Sequence, residues 1–191
     1  MEHRGRPCVH PETRPEWRRW LAENHASSDG VWLVSWKVAT GRPVIPYEQV
    51  VEEALCVGWI DSRGNRLDDE RHLLLVTPRK RGSGWSRSNK QRVERLTAEG
   101  LMRPAGLAAV AAAVADGSWT VLDAVEDLIE PDELAAALDA VPAARESWDE
   151  FSPSARKGIL QWIATAKRPE TRAKRISETV RLAAEGRRAN Q

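Results

Sequence analysis

Two rhythms of apolar and polar positions run along this chain, and the balance between them changes near residue 104. Before that point, helix-period stretches alternate with strand-like apolar runs. Trp17, Trp20 and Leu21 fall at i, i+3 and i+4, which predicts a helix starting near Arg14. Polar residues and glycine between Asn24 and Gly30 close it. The run Val31–Val38 (VWLVSWKV) is rich in β-branched and aromatic residues and reads as a strand, ended by Gly41 and Pro43. A second helix is expected over Pro46–Cys56, with Val50, Val51, Ala54 and Leu55 on its apolar side. Gly58–Asp61 and His72–Pro78 are strand-like and joined by a polar segment holding Gly64-Asn65 and Asp68-Asp69-Glu70, the pattern of an antiparallel hairpin or meander. A loop at Arg81–Gly84 leads into a helix from Ser88 to Glu99, with Ser88 as its N-cap.

From Pro104 onward only the helical rhythm remains. Leu107–Ala115 is alanine-rich and stops at Gly117, and Pro131 opens a further helix where proline is tolerated. Ala143–Phe151 reads as another. Ser152-Pro153-Ser154 is a helix start followed by Ile159, Leu160, Trp162 and Ile163, and Glu170–Glu185 forms a last basic helix ending at Gly186. The fold class that follows is α+β, with a small, mostly antiparallel sheet and helices in the N-terminal part and an all-helical C-terminal part. The expected organisation is a flexible tail over residues 1–12, an α+β lobe over 13–117 and a helical lobe over 118–187.

Composition narrows the setting. A chain of 191 residues that is 41% hydrophobic and 30% charged can bury a core and reads as soluble. No apolar run approaches the ~20 residues that span a bilayer, so membrane insertion is not expected. The first fifteen residues lack a signal-peptide core. Cys8 and Cys56 lie in unlike contexts and suggest no disulfide framework, so a cytoplasmic location is the expectation. The net charge of +1 conceals segregation: residues 96–150 carry 12 acidic and 2 basic side chains, while residues 151–191 carry 10 basic and 3 acidic ones. Residues 62–95 are basic as well. These blocks either neutralise one another on folding or leave a positive surface.

The candidate chemistry gathers between Ala54 and Asn89. With strand alternation, Trp59 and Asp61 share a face, and a carboxylate beside an aromatic ring can anchor a ligand or act as a general base. The alternative is an aspartate that ends a strand or pairs with Arg63 or Arg79. Arg79 and Lys80 follow a strand end. Ser86 and Asn89 lie near the start of a helix, where backbone amides favour anions. Trp85, in a Gly-Ser-Gly loop, either stacks on a ligand or plugs the interior.

Of the nine tryptophans, Trp17, Trp20, Trp36, Trp148 and Trp162 lie in periodic patterns that predict core positions. Cys56 lacks an adjacent base and reads as a buried, inert thiol, with His72 the one spatial partner worth checking. His3, Cys8 and His10 match no strong zinc spacing, and no metal or cofactor is expected. Near the C-terminus, Lys167, Arg168, Arg172, Lys174 and Arg175 form a basic surface. Docking on the acidic block is favoured for it over nucleic-acid binding.

Two long motifs carry a resemblance. ALCVGWIDS…TPRKRGSGWSRSN, followed by LTAEGLMRPAG, and the C-terminal run SPSARKGILQWIATAKRPETRAKRISETVRLAAEG resemble the YdeI/OmpD-associated (bacteriocin-protection, OmdA) family over roughly residues 15–187. The resemblance implies a bacterial protein of stress or antimicrobial protection and carries over no catalytic mechanism. Combined with the residues above, it gives an expected function: a non-enzymatic binder of an anionic small molecule or protein partner near Trp59, Asp61, Arg63, Arg79, Lys80, Trp85, Ser86 and Asn89. The alternatives are an enzyme with Asp61 as acid or base on an anionic substrate, and a nucleic-acid binder working through the basic C-terminal helix.

Overall fold

Alternation in the N-terminal half produces a five-stranded sheet, described here with residues 1–190 in a computed structural model. Its strands are β1 (Glu2–His3), β2 (Arg6–Val9), β3 (Val31–Trp36), β4 (Trp59–Arg66) and β5 (Arg71–Pro78), in the order β1-β2-β3-β5-β4. All neighbours run antiparallel except β2 and β3. The N-terminal residues expected as a tail instead supply β1 and β2. Arg4 and Gly5, both at positive φ, make the tight turn between them, and β2 pairs with β3 through Cys8 opposite Trp32. Short, polar edge strands of this kind carry little periodicity, so the sequence pattern does not reveal them.

One sheet face is covered by α1 (Arg14–Asn24) and α2 (Tyr47–Cys56). Helix α1 starts at a capping box in which the Thr13 side chain accepts from Glu16 N and Glu16 reaches back to the Thr13 amide. Trp17 and Leu21 of α1, Val50 and Ala54 of α2, and Val31, Leu33, Trp59 and Val76 of the sheet form its core. Trp17 and Trp20 stack with centroids 5.4 Å apart, and Trp59 donates its indole N–H to His25 O at 3.2 Å. The other sheet face carries a smaller apolar set, Trp32, Val34, Leu73 and Leu75. Strands β4 and β5 extend past their expected ends, so Gly64 and Asn65 lie within β4 and not in the connection.

Helices α3 (Arg87–Ala98) and α4 (Pro104–Ala115) complete this half. Ser88 lies inside the first turn of α3, so it is not the cap. Gly100 at φ +68 ends α3, and the Leu101 N–H bonds back to Leu96 O at 2.9 Å, turning the chain toward α2. At Gly106 the start of α4 lies so close to the Cys56 carbonyl that a Cβ would overlap it, which makes glycine obligatory there.

The C-terminal helices are α5 (Asp123–Glu126), α6 (Asp132–Asp139), α7 (Pro142–Glu150), α8 (Pro153–Ala164) and α9 (Pro169–Ala184). Ser152 caps α8 by accepting from Ala155 N at 3.3 Å. Leu134, Leu138, Trp148, Ile159, Leu160, Ile163, Ile176 and Leu182 build their core. The chain thus divides into two units: Met1–Gly82 with Ser88–Ala115, and Ser83–Arg87 with the residues from Asp116 onward. No helix among the described residues is long and apolar enough to cross a membrane.

Candidate functional site

Strand β4 presents Trp59 and Asp61 on one face, as alternation requires, but the two side chains do different things. Trp59 is fully buried among Trp17, Val50 and Val76 and holds the core together. Asp61, opposite Val76 on β5, lies at the margin of that face and accepts a 2.7 Å hydrogen bond from Tyr47 Oη at the start of α2. The tyrosine proton is held firmly: burial and the bond to Asp61 push the Tyr47 phenol up to about 12. Arg79 follows β5, its amide bonded to Gly58 O at 3.0 Å. Burial pushes its guanidinium down to about 10, while the Asp61 charge acts in the opposite direction, so Arg79 remains a cation at neutral pH.

Helix α3 adds to this cluster. Arg92 donates to Asn89 Oδ1 at 2.7 Å and grips Glu48 of α2 with two 2.7 Å bonds, from Nε and Nη2. Arg92 in turn lies within the field of Tyr47 and Asp61. Glu48, Ser88, Gln91, Arg92 and Arg95 line a cleft of about 340 Å³ beside it. Asp61, Arg79 and Asn89, three of the residues singled out from the sequence, are therefore gathered with Tyr47, Glu48 and Arg92, which were not. Glu48 and Arg92 sit at ordinary surface positions of amphipathic helices, and nothing local distinguishes them. Tyr47, the only tyrosine of the chain, was the one available signal.

The other expected site residues separate from this group. A register shift between Asp61 and Gly64 breaks the alternation of β4 and sends Arg63 to the opposite face, its guanidinium 6.0 Å from the Trp32 ring centroid. Lys80 is exposed beyond the strand end. Trp85 and Ser86 belong to the C-terminal unit, where buried Trp85 tilts against Trp119 with centroids 5.0 Å apart. Of the two roles open to Trp85, the structure gives it the interior plug. Trp36 also departs from expectation: it is only partly buried, and Arg42 lies 4.1 Å over its ring.

Charge segregation resolves within the C-terminal unit. Lys157 pairs with Glu126, and Arg172 with Glu133 at 3.3 Å. Arg175 lies over Trp162 at 5.0 Å and donates to the Trp162 carbonyl. Lys167, Arg168 and Lys174 remain exposed at the turn into α9. Cys56 is buried, and burial pushes its thiol up to about 11, so it is protonated at neutral pH. His72 lies exposed on β5, paired in register with Ser35.

The motif that opened the resemblance lies in the N-terminal unit apart from Ser83–Arg87, and its C-terminal counterpart spans α8 and α9. Residues 9–109 match a family described as Domain of unknown function (DUF8412), and residues 127–186 match the family described as Bacteriocin-protection, YdeI or OmpD-Associated. The chain belongs to the DUF8412 family, and its residues 127–186 are similar to the YdeI/OmpD-associated family. Tyr47, Asp61, Arg79 and Arg92 all lie within residues 9–109, so their cluster belongs to the DUF8412 part. No curated protein and no solved structure matches the chain.

Proposed function

We propose that this protein is a cytoplasmic, non-enzymatic member of a protective family that binds a small molecule carrying a carboxylate or phosphate group. The site is the Tyr47–Asp61–Arg79–Asn89–Arg92 cluster. One observation carries the reading: residues from α2, β4, the end of β5 and α3 converge there, and the Arg92 fork is already filled by an acidic group, Glu48. The Glu48 side chain is 50% exposed. The Arg92 side chain is only 17% exposed, so the pair opens to solvent on its acidic side. A ligand oxyanion with the same bidentate geometry can take the place of Glu48 on the guanidinium, with Arg79 adding a second cation.

The test is a thermal-shift screen with nucleotides, sugar phosphates and organic acids on wild type, Arg79→Ala and Arg92→Ala. A ligand at 100 times its dissociation constant adds about 2.7 kcal/mol, which at this length raises the melting temperature by several degrees. A rise that both substitutions remove supports the site; a flat screen on folded protein overturns it.

An enzymatic reading rests on the Asp61 carboxylate, which is held by a partly exposed tyrosine and not sealed in the core. It predicts that Asp61→Asn abolishes turnover of a bound anion while binding survives.

A further inference from the structure

A second, larger space lies in the same unit, and neither Asp61 nor Arg79 is on its lining. It measures about 610 Å³ and is walled by the C-terminal half of α1, the end of α2, and the segment running from Gly100 into α4. A volume of this size is typical of sites for drug-sized ligands. Its walls are fixed by backbone bonds. Arg103 N–H donates to Cys56 O at 2.9 Å, and Gly106 lets α4 press against the end of α2. His25 is held at both ends: its ring Nδ1 bonds Leu21 O at 2.9 Å, so that nitrogen carries the proton, and its carbonyl accepts from Trp59.

The lining has two characters. Leu21, Val57, Leu101 and Pro104 make an apolar wall, to which the protonated Cys56 thiol adds no charge. The charged side chains on the lining are Arg18, Glu53 and Arg103. Glu53 is already satisfied: it accepts from Arg14 Nε at 2.5 Å and from Arg18 at 2.6 and 2.8 Å. Arg103 is exposed and has no ion-pair partner among the described residues. The balance of the cavity is therefore positive, with an open guanidinium at its mouth and an apolar interior.

We infer that this cavity binds an apolar-bodied organic monoanion, its hydrocarbon part on Leu21, Val57, Leu101 and Pro104 and its carboxylate on Arg103. A cation is repelled by Arg103, since Arg18 is paired with Glu53, and a fully polar metabolite leaves the apolar wall without a partner. The site is independent of the one at Asp61 and Arg92, and nothing in the family descriptions assigns it.

Calorimetric titration of the full chain with octanoate and with octan-1-ol tests the assignment. One octanoate binds per chain, and the alcohol binds at least about tenfold more weakly because it forgoes a charged hydrogen bond. Arg103→Ala, an exposed change that leaves the fold intact, costs octanoate that same factor and leaves the alcohol unchanged. Ala22→Trp, which fills the cavity from its exposed rim, removes both. Arg92→Ala changes neither, which separates this site from the one proposed above. Equal affinity for acid and alcohol, indifference to Arg103→Ala, loss of octanoate in Arg92→Ala, or no binding at all would each overturn it.

Discussion

The two units handle charge in opposite ways. Among the described residues, the buried charged side chains are Glu52 and Glu53, both on α2 of the N-terminal unit. Arg14 bridges them, at 2.9 Å to Glu52 and 2.5 Å to Glu53, Arg18 joins at Glu53, and Arg95 at Glu52. The helical unit buries no charged residue. Its ion pairs, such as Lys157 with Glu126 and Arg172 with Glu133, tie one helix to another around an apolar core. Buried ions are costly unless well paired, so a unit that retains them has a fold shaped by more than stability. The same unit holds both guanidinium-lined spaces.

Substitutions can break this contrast, and the largest effect belongs to the apolar unit. Trp148 is fully buried, and its indole N–H donates to Glu130 at 2.7 Å. Trp148→Ala is expected to cost about 3–5 kcal/mol in urea denaturation. A loss below about 1 kcal/mol would show that this core does not hold the helices together.

Removing a buried acid comes next. Glu53→Ala leaves part-exposed Arg18 without its carboxylate and Arg14 with Glu52 alone, and about 2–3 kcal/mol is expected, below the 3–5 kcal/mol of a fully enclosed pair because Arg18 still reaches water. The effect depends on pH. Burial opposes the Glu53 charge, but the bonds from Arg18 and Arg14 outweigh it and hold the carboxyl below its ordinary value. Its stabilisation is therefore complete above the unfolded value, near 4.3, and is lost as pH falls through the lower folded value. Wild type should lose more stability than Glu53→Gln on titration below about pH 4. Parallel curves for the two proteins would remove Glu53 from the account.

Gly106→Ala sharpens the comparison by probing the wall between α2 and α4. Its Cβ meets backbone, which cannot move aside as a side chain can, and a loss of about 1–3 kcal/mol is expected. Smallest is Lys157→Ala, at about 0.5–1 kcal/mol, because that lysine is 43% exposed.

Much of the fold was legible in the sequence because it rests on periodicity. The helices at Trp17, at Val50, and at Ile159 with Leu160 follow directly from apolar spacing. Strands β1 and β2 did not, since two- and four-residue strands at a sheet edge have too few positions to show a period. The site was legible only in part. Asp61 stood out as a polar residue in an apolar strand, Arg79 as a cation at a strand end, and Asn89 by its place near a helix start. Glu48 and Arg92 did not, because their meeting depends on how α2 and α3 pack and not on local sequence. Arg63 was misplaced by a register shift that no residue pattern announced, and Trp85 by the tertiary contact that buries it.

The most direct test of the anion-binding account is a calorimetric titration of pyrophosphate into wild type, Glu48→Gln and Arg92→Ala. Freed from its resident carboxylate, the Arg92 fork in Glu48→Gln should bind pyrophosphate several-fold more tightly than wild type, and Arg92→Ala should lose binding. Equal, weak heats in all three proteins would contradict the claim that this cluster is an anion site.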